Sequence, residues 1–149
     1  MCEPKRTHVM TEPDPHNLQR FLTAQAEDYE CALSEHRRGR KESHWIWYIF
    51  PQVAGLGHSS MAQEYAIRSK EEAVAYLSDA ALGTRLQQCC EALLKHQDRK
   101  VQDIMGFPDD LKLRSSMTLF AMISTQGRVF NKVLNAFYSG EMDIDYLRK

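Results

Sequence analysis

The sequence has no excess of charge of either sign. Its 149 residues include 19 lysines and arginines and 20 aspartates and glutamates, which gives a formal net charge of −1. Proteins that bind nucleic acids generically carry a strong basic excess, so this class is excluded. No apolar run approaches the roughly 18–20 residues that a membrane-spanning helix needs, and residues 1–16 lack the apolar stretch of a signal peptide. We therefore expect no membrane association and a cytoplasmic location.

Motifs for metals and cofactors are also missing. The cysteines Cys2, Cys31, Cys89 and Cys90 form no C-x-x-C, and no histidine pair stands at zinc-finger spacing from them. The sequence contains no P-loop, H-E-x-x-H, G-x-S-x-G or EF-hand pattern. We expect reduced thiols, with one of Cys89 and Cys90 in a core, and neither a bound metal nor a cofactor.

The sequence does have helical periodicity along most of its length. Only residues 45–50, which are aromatic or β-branched, resemble a strand, and a lone strand finds no partner for its backbone. A short helix that ends at Pro51 is therefore favoured for this segment. The prediction is an all-α, compact single domain of about six to seven helices with short loops. It covers residues 12–149 and follows a flexible tail over residues 1–11.

Capping residues and inward-facing positions make this prediction specific. Asp14 marks the start of the first helix and Gly39 marks its end. Ser60 and Ser69 each stand three residues before a Gln or Glu, which is the spacing of a capping box. The residues expected in the core are Phe21, Leu86, Leu93, Phe120, Phe130 and Leu134.

Polar residues interrupt the most apolar stretches, and these interruptions indicate a site. In residues 44–48 both tryptophans stand beside a histidine, so one ring can stack on a flat ligand unless all of them fill the core. The loop of residues 55–60 can cradle a phosphate, although a glycine turn with an ordinary serine cap is the simpler interpretation. Residues 112–118 offer two cations and three hydroxyls to an anionic or sugar-bearing ligand, unless the hydroxyls bond back to helix carbonyls. The candidate ligand-binding residues are His44, Trp45, Trp47, Gln52, Gly57, Ser59, Tyr65, Lys112, Arg114, Ser115 and Ser116.

Glu64 is the candidate catalytic residue. It stands before an aromatic residue and four positions before an arginine, which is compatible with an exposed ion pair on a helix. The alternative is a carboxylate held beside aromatic walls, where burial suits it to acid–base catalysis. On that interpretation His44, Glu64, Lys112 and Ser116 lie around one concave site.

Several longer motifs resemble a known family. Residues 41–52, 55–59, 65–67 and 112–120 resemble the domain-of-unknown-function family 1810, and the likeness runs from about Leu18 to Asp143. This resemblance implies a compact, mainly helical domain with no established activity. Residues 63–66, 114–120 and 133–134 are also similar in order to landmarks of the helical NAD/ADP-ribose-associated glycosidase family. There a Glu before an aromatic residue serves catalysis, and Glu64 stands at that place.

Two functions are consistent with these features. The first is binding or hydrolysis of a nucleotide derivative such as an ADP-ribose N-glycoside. In it Trp45 or Trp47 stacks on the base, and Gly57 with neighbouring cations holds phosphate. Glu64 then assists cleavage of the glycosidic bond. The alternative is a non-catalytic helical protein-interaction module that anchors an unknown protein partner through residues 44–48.

Overall fold

The computed structural model describes residues 13–124 and 128–143. The described part contains eight helices and no strand: α1 (Gln19–Arg38), α2 (Ile46–Ile49), α3 (Ser60–Glu64), α4 (Lys70–Ser78), α5 (Ala80–Leu94), α6 (Val101–Met105), α7 (Asp109–Ile123) and α8 (Arg128–Tyr138). The all-α prediction is confirmed, with slightly more helices than expected because helices of four or five residues are too short to show a period. The predicted tail, residues 1–11, lies outside the described residues.

The first helix begins later than Asp14 suggests. Both carboxylate oxygens of Asp14 accept backbone N–H groups, that of Leu18 at 2.8 Å and that of Gln19 at 3.0 Å. Asp14 therefore satisfies the first amides of α1 from outside the helix, which starts at Gln19. The other end is as predicted, since Gly39 adopts a left-handed φ of 76° and its N–H reaches back into the last turn.

The caps of α3 and α4 differ in their agreement with the sequence. Ser59, and not Ser60, caps α3, because its hydroxyl accepts the backbone N–H of Ala62 at 3.0 Å. Ser69 caps α4 as predicted, accepting the N–H of Glu72 at 3.0 Å. The capping-box pattern identifies the right turn in both places, but at α3 it is one residue late.

The segment of residues 45–50 is helical. Ile46–Ile49 form α2, with Ile46, Tyr48 and Ile49 buried, and the chain then reaches Pro51. The strand alternative is wrong, because no other described segment offers a strand to pair with. A single isolated bridge, between Val53 and Ile67, is the nearest approach to a sheet among the described residues.

The core lies where α5 is covered by α1, α4 and α8, while α7 packs against α8 and α4. All six predicted core residues are buried, none more than 4% exposed. Cys89 and Cys90 are both buried, not one of the two, because α5 is covered on more than one face. None of the described helices is long and apolar enough to cross a bilayer.

A buried carboxylate anchors the segment that leads from α1 to α2. Glu35 is only 3% exposed, and its Oε1 accepts the backbone N–H groups of Glu42 and Ser43 and the indole N–H of Trp45 at 2.8–3.1 Å. Its Oε2 accepts the Ser43 hydroxyl at 2.6 Å. Burial by itself raises the pKa of Glu35, but these hydrogen bonds outweigh it and lower the pKa from its ordinary value of 4.5 to about 2. We call this arrangement the Glu35 clamp.

A neutral histidine lies beside the clamp. His36 is 1% exposed and packs against the Trp45 and Phe50 rings, with centroid distances of 4.7 and 5.3 Å. Its Nδ1 lies 2.7 Å from the carbonyl oxygen of Ala32, to which it donates. Burial lowers the pKa of His36 from 6.5 to about 4, against the opposing effect of this hydrogen bond.

The Glu35 clamp makes the protein sensitive to acid. The unfolded chain takes up a proton at Glu35 near pH 4.5 while the folded protein keeps the carboxylate ionised down to about pH 2, so the free energy of unfolding falls as the pH is lowered through this window. The pKa difference corresponds to about 3 kcal/mol. Chemical denaturation at a series of pH values measures the slope. In Glu35→Gln we expect the slope to disappear and the stability at neutral pH to drop.

Two variants make this measurement specific. Glu30→Gln, an exposed position on α1, is the matched control and keeps the wild-type slope. His36→Phe removes a separate loss of stability between about pH 6.5 and 4, which arises because the unfolded chain protonates the imidazole and the folded protein does not. A wild-type slope below pH 4.5 in Glu35→Gln contradicts the clamp.

Candidate functional site

A cavity of about 350 Å³ lies between the loop that precedes α3 and the N-terminal half of α7. Its volume is at the lower end of the range typical of small-molecule sites. Six residues of the sequence prediction line it: Gln52, Gly57, Ser59, Lys112, Arg114 and Ser115. Six residues outside that prediction also line it: Leu56, His58, Ala62, Pro108, Leu111 and Asp143. We call this space the α3–α7 cavity.

The loop on one side of the cavity is held tightly against α3. A Cβ placed on Gly57 would lie 2.7 Å from the Cβ of Ala62, which is closer than two such atoms come. The cap formed by Ser59 fixes the next residues of the loop. Gly57 is therefore required by packing against α3, which by itself accounts for glycine at this position.

Two lysines share one carboxylate at the other side. Lys41 Nζ lies 2.8 Å from one oxygen of Asp109, and Lys112 Nζ lies 3.4 Å from the other. Each ammonium group also lies over an indole ring, that of Lys41 at 4.9 Å from the Trp45 centroid and that of Lys112 at 5.6 Å from the Trp47 centroid. Lys112 is thus positioned at the cavity wall by a carboxylate and an aromatic ring.

Arg114 lines the cavity with a guanidinium that the fold does not fully satisfy. Its Nε is buried and has no hydrogen-bond partner among the described residues. The guanidinium carbon lies 5.9 Å from the ring centroid of Tyr138, whose hydroxyl donates to the carbonyl oxygen of Asp110 at 2.5 Å. The unmade hydrogen bond of Nε costs free energy, and the guanidinium as a whole gives the cavity wall a positive charge.

A carboxylate completes the polar part of the wall. The hydroxyl of Ser115 donates to Asp143, and the backbone N–H of Asp143 donates to Thr118 Oγ1 at 2.9 Å. These bonds hold the chain that follows α8 against α7. Within residues 13–124 and 128–143, no group of three or more His, Cys, Asp or Glu side chains comes together that can hold a metal ion.

The aromatic segment of residues 44–48 does not line the cavity. Trp45 is 1% exposed and donates its indole N–H to Glu35, so its ring belongs to the core. Trp47 is half-buried and reaches the site only through its contact with Lys112. His44 is exposed on the surface. Sequence reasoning found the aromatic cluster but could not show that its rings support the lysines.

Tyr65 and Ser116 also lie away from the cavity. Tyr65 is half-buried and packs against the ring of Phe21 at a centroid distance of 5.7 Å. Ser116 is fully buried, on a different face of α7 from its neighbour Ser115. Both residues contribute to packing among the helices.

Glu64 lines a different cavity. It is exposed, and the space beside it, of about 440 Å³, is also lined by Arg20, Arg68 and Glu72. Arg20 and Glu72 form an ion pair at 2.7 Å, and the guanidinium of Arg20 also donates to several backbone carbonyls. The four residues expected around one concave site are therefore spread over the surface, the core and two cavities.

The close approach of the loop to α3 can be tested by a double-mutant cycle. Gly57→Ala should destabilise the protein by about 1–3 kcal/mol, because the added methyl group overlaps Ala62. Ala62→Gly should cost about 1 kcal/mol through helix propensity alone. In the double variant the overlap is relieved, so thermal denaturation should show less destabilisation than the sum of the two. Strictly additive effects contradict the contact.

Comparison with known proteins agrees with the family resemblance in the sequence. The fold is similar to that of the conserved hypothetical protein Rv1873 from Mycobacterium tuberculosis, whose crystal structure was determined at 1.38 Å. The TM-score is 0.89 at 45% sequence identity, and the match covers 91% of this chain and 96% of that chain. No curated protein matches this sequence. The family model described as "Protein of unknown function (DUF1810)" matches residues 15–149, and the chain belongs to that family.

Proposed function

We propose that the α3–α7 cavity binds a small phosphate-bearing ligand of the nucleotide-derivative class. The observation that carries the proposal is the pair of cations on its wall, Lys112 and Arg114. Among the described lining residues they face one carboxylate, that of Asp143. A concave site with an excess of cations attracts anions, and guanidinium groups suit phosphate oxygens in particular.

The remaining polar lining supports a ligand with hydroxyl groups. Asp143 is a hydrogen-bond acceptor on the wall, and the amide side chain of Gln52 can both donate and accept. A sugar phosphate offers hydroxyl donors to the first and phosphate acceptors to the cations. This combination favours a phosphorylated sugar or nucleotide over a simple inorganic anion.

Hydrolysis of an N-glycosidic bond through Glu64 is less well supported than binding. Glu64 is exposed and lies at the cavity shared with Arg20, so it does not face a ligand held by Arg114. The carboxylate that does line the α3–α7 cavity is Asp143, which is hydrogen-bonded to Ser115. We therefore propose ligand binding as the primary function.

The protein-interaction module remains the second candidate, but its expected anchor is not on the surface. Trp45 and Tyr48 are at most 5% exposed, so Trp47, which is half-buried, is the one aromatic ring of residues 44–48 that a partner peptide could reach in part. Interface hot spots are aromatic side chains that a partner can cover.

Binding can be tested by calorimetric titration of the wild-type protein with ribose 5-phosphate and AMP. Arg114→Gln should lower the affinity about ten- to hundredfold, because a hydrogen bond to a charged group contributes about 1.5–3 kcal/mol. Arg40→Gln is the matched control, since Arg40 is 73% exposed and outside the cavity lining. The ligand should also raise the midpoint of thermal unfolding of the wild type and of the control.

The outcomes separate binding from folding. Circular dichroism of Arg114→Gln should show wild-type helix content, and Arg114→Lys should recover part of the affinity because it restores the charge without the planar fork. Equal affinities of wild type and Arg114→Gln, or no binding of any phosphate-bearing ligand to the wild type, contradict the proposed function.

A further inference from the structure

One side of the α3–α7 cavity is apolar and exposed. Leu56, Pro108 and Leu111 line it, and Leu111 is 44% exposed. Phe107, the residue before Pro108, is 69% exposed. Only four large apolar side chains are exposed to this degree in the described part of the chain, and two of them are Phe107 and Leu111. We call Leu56, Pro108 and Leu111 the apolar rim, and Phe107 lies outside the lining of the cavity.

The apolar rim and the cations follow one another along α7. Leu111, Arg114 and Ser115 have the i, i+3, i+4 spacing that places side chains on one face of a helix. Leu111 and Arg114 are separated by about 4.5 Å along the helix axis. The cavity is therefore bipartite, with an apolar part at the start of α7 and a cationic part immediately after it.

From this arrangement we infer that the apolar rim binds a flat aromatic group, of the kind found in a nucleobase, that is joined to the phosphate held by Lys112 and Arg114. The inference rests on the proposed function and adds the orientation of the ligand and the residues that select it. The tryptophans do not provide this surface, because Trp45 is buried and Trp47 does not line the cavity.

The size of the rim favours a flat ring over an alkyl chain. A ring is covered by one or two side chains such as Leu111 and Leu56, and its flat apolar faces pack well against leucine. An alkyl chain needs a continuous groove along its length, and the lining of this cavity becomes polar at Lys112. Leu111 is therefore a specificity-determining residue of the site.

The test compares four ligands by calorimetry: inorganic phosphate, ribose 5-phosphate, AMP and hexyl phosphate. The wild type should bind AMP at least tenfold more tightly than ribose 5-phosphate and hexyl phosphate. In Leu111→Ser and in Leu56→Ser this ratio should fall toward one, while the affinity for inorganic phosphate stays unchanged. Met122→Ser is the matched control, because Met122 is 52% exposed on α7 but does not line the cavity.

The outcomes distinguish the inference from the proposed function. If AMP and ribose 5-phosphate bind equally well and Arg114→Gln weakens both, the phosphate site stands and the aromatic subsite is wrong. If hexyl phosphate binds as tightly as AMP, the rim takes alkyl groups and the inference is also overturned. If the wild type binds none of the four ligands, the proposed function fails and the inference fails with it.

Discussion

The carboxylate of Glu35 is the group on which the arrangement of α1, α2 and α7 depends. Five hydrogen bonds end on its two oxygens, from the Cys31 thiol, two backbone amides, the Ser43 hydroxyl and the Trp45 indole. A buried charge is costly without such donors, and removal of the carboxylate would leave the donors without their acceptor. The charge is therefore stable only in a structure that brings the start of α2 back to the last turns of α1.

The clamp also connects the core to the cavity wall. Lys41 donates to the carbonyl oxygen of Ser43 at 2.5 Å, and the same ammonium group pairs with Asp109 at the first turn of α7. Asp109 in turn holds Lys112. One series of contacts thus leads from a buried carboxylate to a cation that lines the site. The residues that stabilise the fold at this end of the molecule thus also position Lys112 at the cavity wall.

How well the sequence predicts the structure depends on how far apart in the chain the interacting residues stand. Local signals were sufficient for the helices: Ser69 and Gly39 act within one turn, and their effect does not depend on the rest of the chain. Six lining residues of the cavity were also predictable from the sequence, because a polar side chain inside an apolar stretch indicates a role other than core packing. Asp143 was not, since its partner Ser115 is 28 residues away and no periodicity connects them.

The predictions that differ from the structure concern side chains whose position depends on residues distant in the sequence. The sequence predicts Trp45 as a ring that can stack on a ligand. An indole can be fully buried when its N–H has an acceptor, and here that acceptor is Glu35. Nothing in the sequence identifies Glu35 as the acceptor. Glu64 has the expected neighbours along the chain, yet from the last position of α3 it lines another cavity. In both cases the sequence identifies a suitable type of residue, but tertiary contacts determine where its side chain lies.

The two tryptophans give the protein a built-in optical readout. They are the only tryptophans of the chain, and they occupy different environments: Trp45 is bonded to Glu35 in the core, and Trp47 is half-buried beneath the ammonium group of Lys112. Indole emission responds to nearby charge and to solvent. The fluorescence of Trp45 therefore responds to the integrity of the Glu35 clamp, and that of Trp47 responds to the position of Lys112 at the cavity, without an added label.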